Sequence, residues 1–136
     1  MSRRKARELA LQILFQEDLT DNEPAEVETL FWQSQPGTSG REYAQELFRH
    51  ATANEAVIED LIRRFTENWR LERIAAVDRN ILRMAVAEFL FTETPNVVVI
   101  DEAIEIARKY GSEKSPEFVN GVLDRIRQEI ERSPNE

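Results

Sequence analysis

Between Arg41 and Arg70 the chain contains neither glycine nor proline, and apolar side chains recur at Ala44, Leu47, Phe48, Ala51, Ile58, Leu61, Ile62, Phe65 and Trp69. That spacing lays them along one face of a helix and predicts a single long helix, the spine of the fold. The rest of the chain is equally poor in backbone breakers, with four glycines and five prolines in 136 residues. Strand-and-turn architectures need more turn residues than this, so the expected fold class is all-α. At 41% hydrophobic content the chain can bury one continuous core but not two, and residues 1–136 are expected to form one compact domain of six to seven helices.

The remaining helices follow from the same periodicity. Ala6, Leu9, Ala10, Ile13 and Leu14 mark a first helix from Arg3 to about Asp18. Asp21-Asn22-Glu23-Pro24 opens a short second helix to about Gln33, with Val27, Leu30 and Phe31 inward, and the loop Gln35-Pro36-Gly37-Thr38-Ser39-Gly40 ends it. Leu71 to Ala75 reads as a connecting turn. Val77, Ile81, Leu82, Ala85 and Phe89 then mark a helix that crosses the core and stops near Thr94-Pro95. Val97-Val98-Val99-Ile100 has strand propensity, but its pattern continues through Ala103, Ile104 and Ala107, which favours a helix with Gly111 as its C-cap. Ser115 as N-cap and Pro116 as first helical residue begin the last helix, carrying Val119, Val122, Leu123, Ile126 and Ile130, and Ser133-Pro134 frays its end.

The catalytic inventory is thin, and no enzyme activity, cofactor or metal site is expected. There is no cysteine, no glycine-rich phosphate loop and one histidine, His50, which reads as an ordinary surface or boundary residue. Asp101, Glu102 and Glu105 stand at helical spacing, and a solvated helix face explains them better than a two-carboxylate hydrolase site. Trp32 and Trp69 read as core or boundary aromatics. Met1 to Arg7 is basic, yet Glu8 to Glu17 is interrupted by polar residues and forms no apolar export segment, and no stretch is long and apolar enough to span a membrane. A cytoplasmic location is expected.

Charge is divided unevenly along the chain. The net charge of −8 argues against a nucleic-acid partner, but four of the 18 basic residues, Arg3, Arg4, Lys5 and Arg7, fall within the first seven positions, and residues 8–40 contain none. From Glu8 onward 14 basic residues face 26 acidic ones, so a basic end stands against an acidic body. Arg4, Glu8, Leu11 and Phe15 line up on the non-core face of the first helix, with Arg7 beside them. Guanidinium groups with an outward aromatic suit single-stranded RNA, whose phosphates they pair with and whose unstacked bases they stack on. A basic turn serving solubility, with Phe15 packed on a neighbouring helix, is the alternative. Phe118, next to Lys114 and Ser115 at a helix N-terminus, is a second candidate contact, since exposed amides there favour an anion.

Four motifs occur in order: Arg3-Arg4-Lys5-Ala6-Arg7-Glu8, Val77-Asp78-Arg79-Asn80-Ile81-Leu82-Arg83, Ile100-Asp101-Glu102-Ala103-Ile104-Glu105-Ile106-Ala107, and Phe118-Val119-Asn120-Gly121-Val122-Leu123-Asp124. Together they span nearly the whole chain and closely resemble the NusB family, the last block being the most specific. The resemblance implies a transcription antitermination factor that binds boxA-type RNA together with NusE, a small-subunit ribosomal protein, and acts with RNA polymerase and other Nus factors on ribosomal RNA operons. It implies RNA-binding roles for Arg3, Arg4, Lys5 and Arg7, and for Phe15, which is a tyrosine in some relatives. Asp78 and Arg79 match an acidic-basic pair near the RNA and partner surface. Lys114 stands where some relatives are acidic, which changes the local charge. Phe118 and Asn120 match the terminal motif, where Asn120 has a structural cap as its other reading.

The same domain occurs in certain RNA methyltransferases, whose cofactor-binding domain with its glycine-rich loop has no counterpart in this sequence. A helical protein-interaction module without an RNA role is the remaining alternative, and it would make the arginines dispensable. The resemblance leaves monomer and homodimer both open for the free protein.

Overall fold

A computed structural model describes residues 3–66 and 73–132. It contains seven helices among these residues: α1 (Arg3–Asp18), α2 (Pro24–Gln33), α3 (Arg41–Ala53), α4 (Glu55–Arg64), α5 (Ala76–Phe91), α6 (Asn96–Tyr110) and α7 (Ser115–Arg132). No strand occurs among the described residues, so the all-α expectation holds, as does the helical reading of Val97 to Ile100. Trp69, the turn residues Leu71 and Glu72, and the Ser133-Pro134 end lie outside the described residues.

The described part of the expected spine from Arg41 to Arg70, residues 41–66, holds two helices, α3 and α4, instead of one. Asn54 interrupts the pattern with φ −121° and ψ 31°, and both its backbone N–H and its side-chain Nδ2 donate to the His50 carbonyl, at 3.2 and 2.9 Å. An asparagine side chain that competes for backbone acceptors favours a turn over continued helix. Periodicity alone does not register this, because Ile58 and Ile62 resume an apolar face after the break and are fully buried.

The role of spine falls to α5, which packs against α1, α3, α4, α6 and α7. Every residue from Asn80 to Phe89 is buried. A helix enclosed on all sides must bury its polar positions too, and most of these find partners within α5 or on neighbouring helices, with Arg83 Nε and Asp78 Oδ1 left without a hydrogen bond among the described residues. Arg83, 2% exposed, donates to Asn80 Oδ1 at 2.7 Å and reaches Glu17 of α1 and Glu55 of α4, each at 3.3 Å. It thereby ties three helices together at one level.

α1 and α5 run antiparallel, a register visible in four polar contacts. Arg3 meets Thr94 just beyond α5, Arg7 meets Glu88, Glu17 meets Arg83 and Asp18 meets Arg79. The apolar face of α1 sits between α5 and α3, with Ile13 and Leu14 fully buried. Gly40, in the loop before α3, has φ 89°, a left-handed conformation that glycine adopts without strain. A Cβ there would also lie 3.3 Å from the backbone of Ala6, so this glycine lets the loop close on α1.

Gly111 is the C-cap of α6 as expected, its N–H donating to the Ala107 carbonyl at 2.8 Å, with φ −94° and ψ −167°, an extended and not a left-handed conformation. Glycine is required there by space: a Cβ would collide with the Ser115 side chain and the Ala107 carbonyl oxygen. The α7 cap shifts by one residue, because Phe118 N–H donates to the Lys114 carbonyl, and Ser115 Oγ accepts from Ser112 N–H at 2.9 Å instead of capping its own helix.

Candidate nucleic-acid interface

The N-terminal turn of α1 has too few apolar residues to bury more than one side, and Ala6 is the one that faces the core, 1% exposed. Arg3, Arg4 and Lys5 are consequently exposed. Arg3 places its guanidinium 4.3 Å from the centroid of the Tyr43 ring on α3, and its Nη1 donates to Thr94 Oγ1 at 3.4 Å. Arg4 grips Glu102 of α6 with two parallel bonds, Nε to Oε1 at 2.8 Å and Nη2 to Oε2 at 2.9 Å. That fork geometry raises the Arg4 pKa through the hydrogen bond and the charge of Glu102, and the Arg4 hydrogen bond holds the Glu102 carboxyl below its usual range.

Arg7 does not point outward. It is 4% exposed, and its Nε and Nη2 donate to the Glu88 carboxylate of α5 at 2.9 and 2.6 Å. Burial works against its charge, but the hydrogen bond and charge of Glu88 outweigh that and hold its pKa above the ordinary value. The Tyr43 hydroxyl donates to the same carboxylate at 2.7 Å, and burial pushes the tyrosine pKa up. Leu11, expected on the outer strip, is buried as well. Helical spacing misplaced both residues because α1 is covered on more than one side, by α3 and α5.

Around the basic turn lies an open cleft of about 780 Å³ between α1, the start of α3 and the α5–α6 turn, lined by Arg3, Arg4, Tyr43, Phe91, Val98 and Glu102 among others. Phe15 is half-buried and stands three turns further along α1, about 18 Å from Arg3 at the usual helical rise, so it does not join this cluster.

A second cleft, about 660 Å³, opens near the other end of the α1–α5 pair, between the start of α5 and the α6–α7 turn. It brings Asp78, Lys114 and Phe118 together. Asp78 is 8% exposed, and its Oδ1 has no hydrogen-bond partner among the described residues. Lys114 is exposed and Phe118 is half-buried against the core. Arg79, one residue on, turns away from this cleft: it pairs with Asp18 of α1, and its Nη1 donates to the Ile74 carbonyl at 3.0 Å. Asn120 is exposed on α7 and lines neither cleft.

Sequence reasoning missed Tyr43, Phe91, Thr94, Arg73 and Arg125, all of which line one cleft or the other. None carries a local signal, since each becomes a neighbour of the expected residues only through helix packing. Glu102 belonged to an acidic run read as a solvated face, yet it clamps Arg4. The boundary reading of His50 stands: its ring stacks on Phe91 at 5.1 Å. Trp32 is buried, as expected of a core aromatic. No cluster suited to a metal ion is found among the described residues, and none of their helices is long and apolar enough to cross a membrane.

The model of the NusB family matches residues 4–128. A transcription antitermination protein NusB of Koribacter versatilis is 47% identical over 133 residues, covering 96% of this chain and 91% of the relative. Among solved structures, T. maritima NusB superposes with a TM-score of 0.85 at 41% identity, covering 95% of this chain and 92% of that one. The antitermination factors NusB and NusE in complex with dsRNA provide another match, with a TM-score of 0.83 at 29% identity over 93% of this chain and 96% of that one.

Proposed function

Because this chain belongs to the NusB family, we propose that it is a transcription antitermination factor, a non-catalytic adaptor that binds boxA-type RNA together with NusE and promotes processive transcription of ribosomal RNA operons. It acts with RNA polymerase and other Nus factors in the cytoplasm, and residues 1–136 serve as one RNA-binding domain.

The observation that carries the RNA role is the outward turn Arg3-Arg4-Lys5, three cations in succession on a chain whose remainder is acidic. Their guanidinium and ammonium groups neutralise phosphates, a contribution that depends on local and not on net charge. Arg7, buried against Glu88, is a positioning residue that fixes α1 on α5 and so sets where the three outer cations point. Arg79 does the same at the far end through Asp18. With Phe15 on α1 and Asn120 on α7 as separate contacts, Asp78, Lys114 and Phe118 supply a second RNA and partner surface at the other cleft. There an acidic group accepts from base amino groups or from donors of the basic ribosomal protein, and Phe118 offers a ring for stacking. The two clefts open toward opposite ends of α1, whose 16 residues span about 24 Å, a length that an extended RNA strand covers with a few nucleotides.

The pairing of Arg4 and Arg7 with carboxylates favours a second reading, in which the basic turn is structural and the chain is only a protein-interaction module. Binding of a short boxA-containing RNA, with and without NusE, separates the two. The adaptor reading expects binding that the partner tightens and that Arg3→Ala/Arg4→Ala abolishes while the protein stays helical; absence of RNA binding in every mixture overturns it.

A further inference from the structure

The cleft beside the basic turn has a chemistry that phosphate binding does not use. Its cations, Arg3, Arg4 and Arg7, are matched by carboxylates on the same walls, Glu46, Glu93 and Glu102. Arg4 and Arg7 are moreover already engaged by Glu102 and Glu88. A phosphate entering it would meet as much negative as positive charge, so anions belong at the rim, on Arg3 and Lys5.

The interior offers apolar and π surface instead. Phe91, 38% exposed at the C-terminal end of α5, and Val98, 42% exposed on α6, both line it. Aromatic and aliphatic walls with a small number of placed polar groups are the usual lining of a cleft that takes a ligand. The Phe91 ring is held in orientation by His50, which stacks on one of its faces at an interplanar angle of 13°. Opposite, the Arg3 guanidinium already lies over the Tyr43 ring, an arrangement to which another planar group can be added. The exposed carboxylates of Glu46 and Glu93 provide hydrogen-bond acceptors at the edge.

We propose that this cleft takes one unstacked nucleobase of the bound RNA, with Phe91 as its stacking platform and Glu46 and Glu93 favouring a base that carries an exocyclic amino group. The inference rests on the RNA-binding reading and deepens it. A flat, neutral ring with amino donors matches the apolar wall, the balanced charge and the acceptor edge at once, and the cleft adjoins the cations that hold the flanking phosphates.

A double-mutant cycle between protein and RNA tests this. A short boxA-containing RNA is made as a series, each nucleotide in turn replaced by an abasic one, and its binding is measured to the wild type and to Phe91→Leu, which keeps an apolar side chain but removes the ring. Loss of one base–aromatic stack weakens binding about 5- to 150-fold. One abasic position is expected to weaken the wild type by that factor, Phe91→Leu to weaken the intact RNA similarly, and the two together to weaken it no further. Effects that multiply at every position, or a Phe91→Leu protein that binds intact RNA normally, overturn the proposal while leaving RNA binding by Arg3 and Lys5 intact. A Phe91→Leu defect seen only with NusE present marks a protein contact and also overturns it. A wild type that binds no member of the series overturns both this inference and the reading beneath it.

Discussion

Removing Arg7 is expected to act on stability first. Its guanidinium and the Glu88 carboxylate are 5% and 1% exposed, and three hydrogen bonds join them, with the Tyr43 hydroxyl as a further donor to the carboxylate. Arg7→Ala leaves Glu88 charged and buried with only the tyrosine as partner. Breaking one side of a buried ion pair costs about 3–5 kcal/mol, most of it the uncompensated desolvation of the remaining charge. For a chain of 136 residues, with an unfolding entropy of about 2.1 cal/mol/K per residue, that corresponds to a Tm lowered by roughly 10–17 °C. Replacing both partners together, Arg7→Met/Glu88→Met, removes the charges and fills the space, so it should lie within about 1–2 kcal/mol of the wild type. Tyr43→Phe should cost about 1.5–3 kcal/mol, the worth of a hydrogen bond to a charged group. Urea denaturation followed by circular dichroism at 222 nm gives all three values. If Arg7→Ala loses less than about 1 kcal/mol, or the double variant is no better than the single one, the desolvation argument is wrong and Arg7 is free to contact RNA directly.

Glu102 connects stability to pH. Its carboxyl is held down by the Arg4 hydrogen bond, so the folded state binds its proton less readily than the unfolded state. The stabilisation is present above the ordinary carboxylate pKa and lost as pH falls through the lowered folded value; Glu102→Gln should flatten the acid limb of a stability profile measured from neutral pH downward. Salt dependence reports the phosphate contacts: for single-stranded RNA each is expected to contribute about 0.7 to the slope of log K against log salt, and Lys5→Ala should lower the slope by about that amount. A complex indifferent to salt would be incompatible with the three outer cations holding phosphates. Gly111→Ala should destabilise the fold by about 1–3 kcal/mol, since the new methyl collides with Ser115 and the Ala107 carbonyl; unchanged thermal melting would show that the α6–α7 turn yields without strain.

The ends of α1, α2, α6 and α7 are legible in the sequence: they fall within a residue or two of where apolar spacing and punctuation put them, because both signals act over a few residues. The break at Asn54 is not legible, since its effect depends on which carbonyl its side chain captures. Of the ten candidate site residues, the exposed Arg3, Arg4 and Lys5 stand where the charge pattern suggested, whereas Arg7 and Arg79 resemble them in sequence but donate to carboxylates of other helices in the fold.

Local spacing and residue identity suffice for the helical class, the approximate helix limits, the divided charge and the family, and all four can be read from the chain alone. Which arginine is buried against a carboxylate and which stays exposed is a matter of packing. It depends on α5 being enclosed by five helices, so that Glu88 and Arg83 are cut off from water and must take partners from elements distant in the chain. Arg7 and Glu88 are 81 positions apart, and no periodicity relates them; desolvation in the assembled core does.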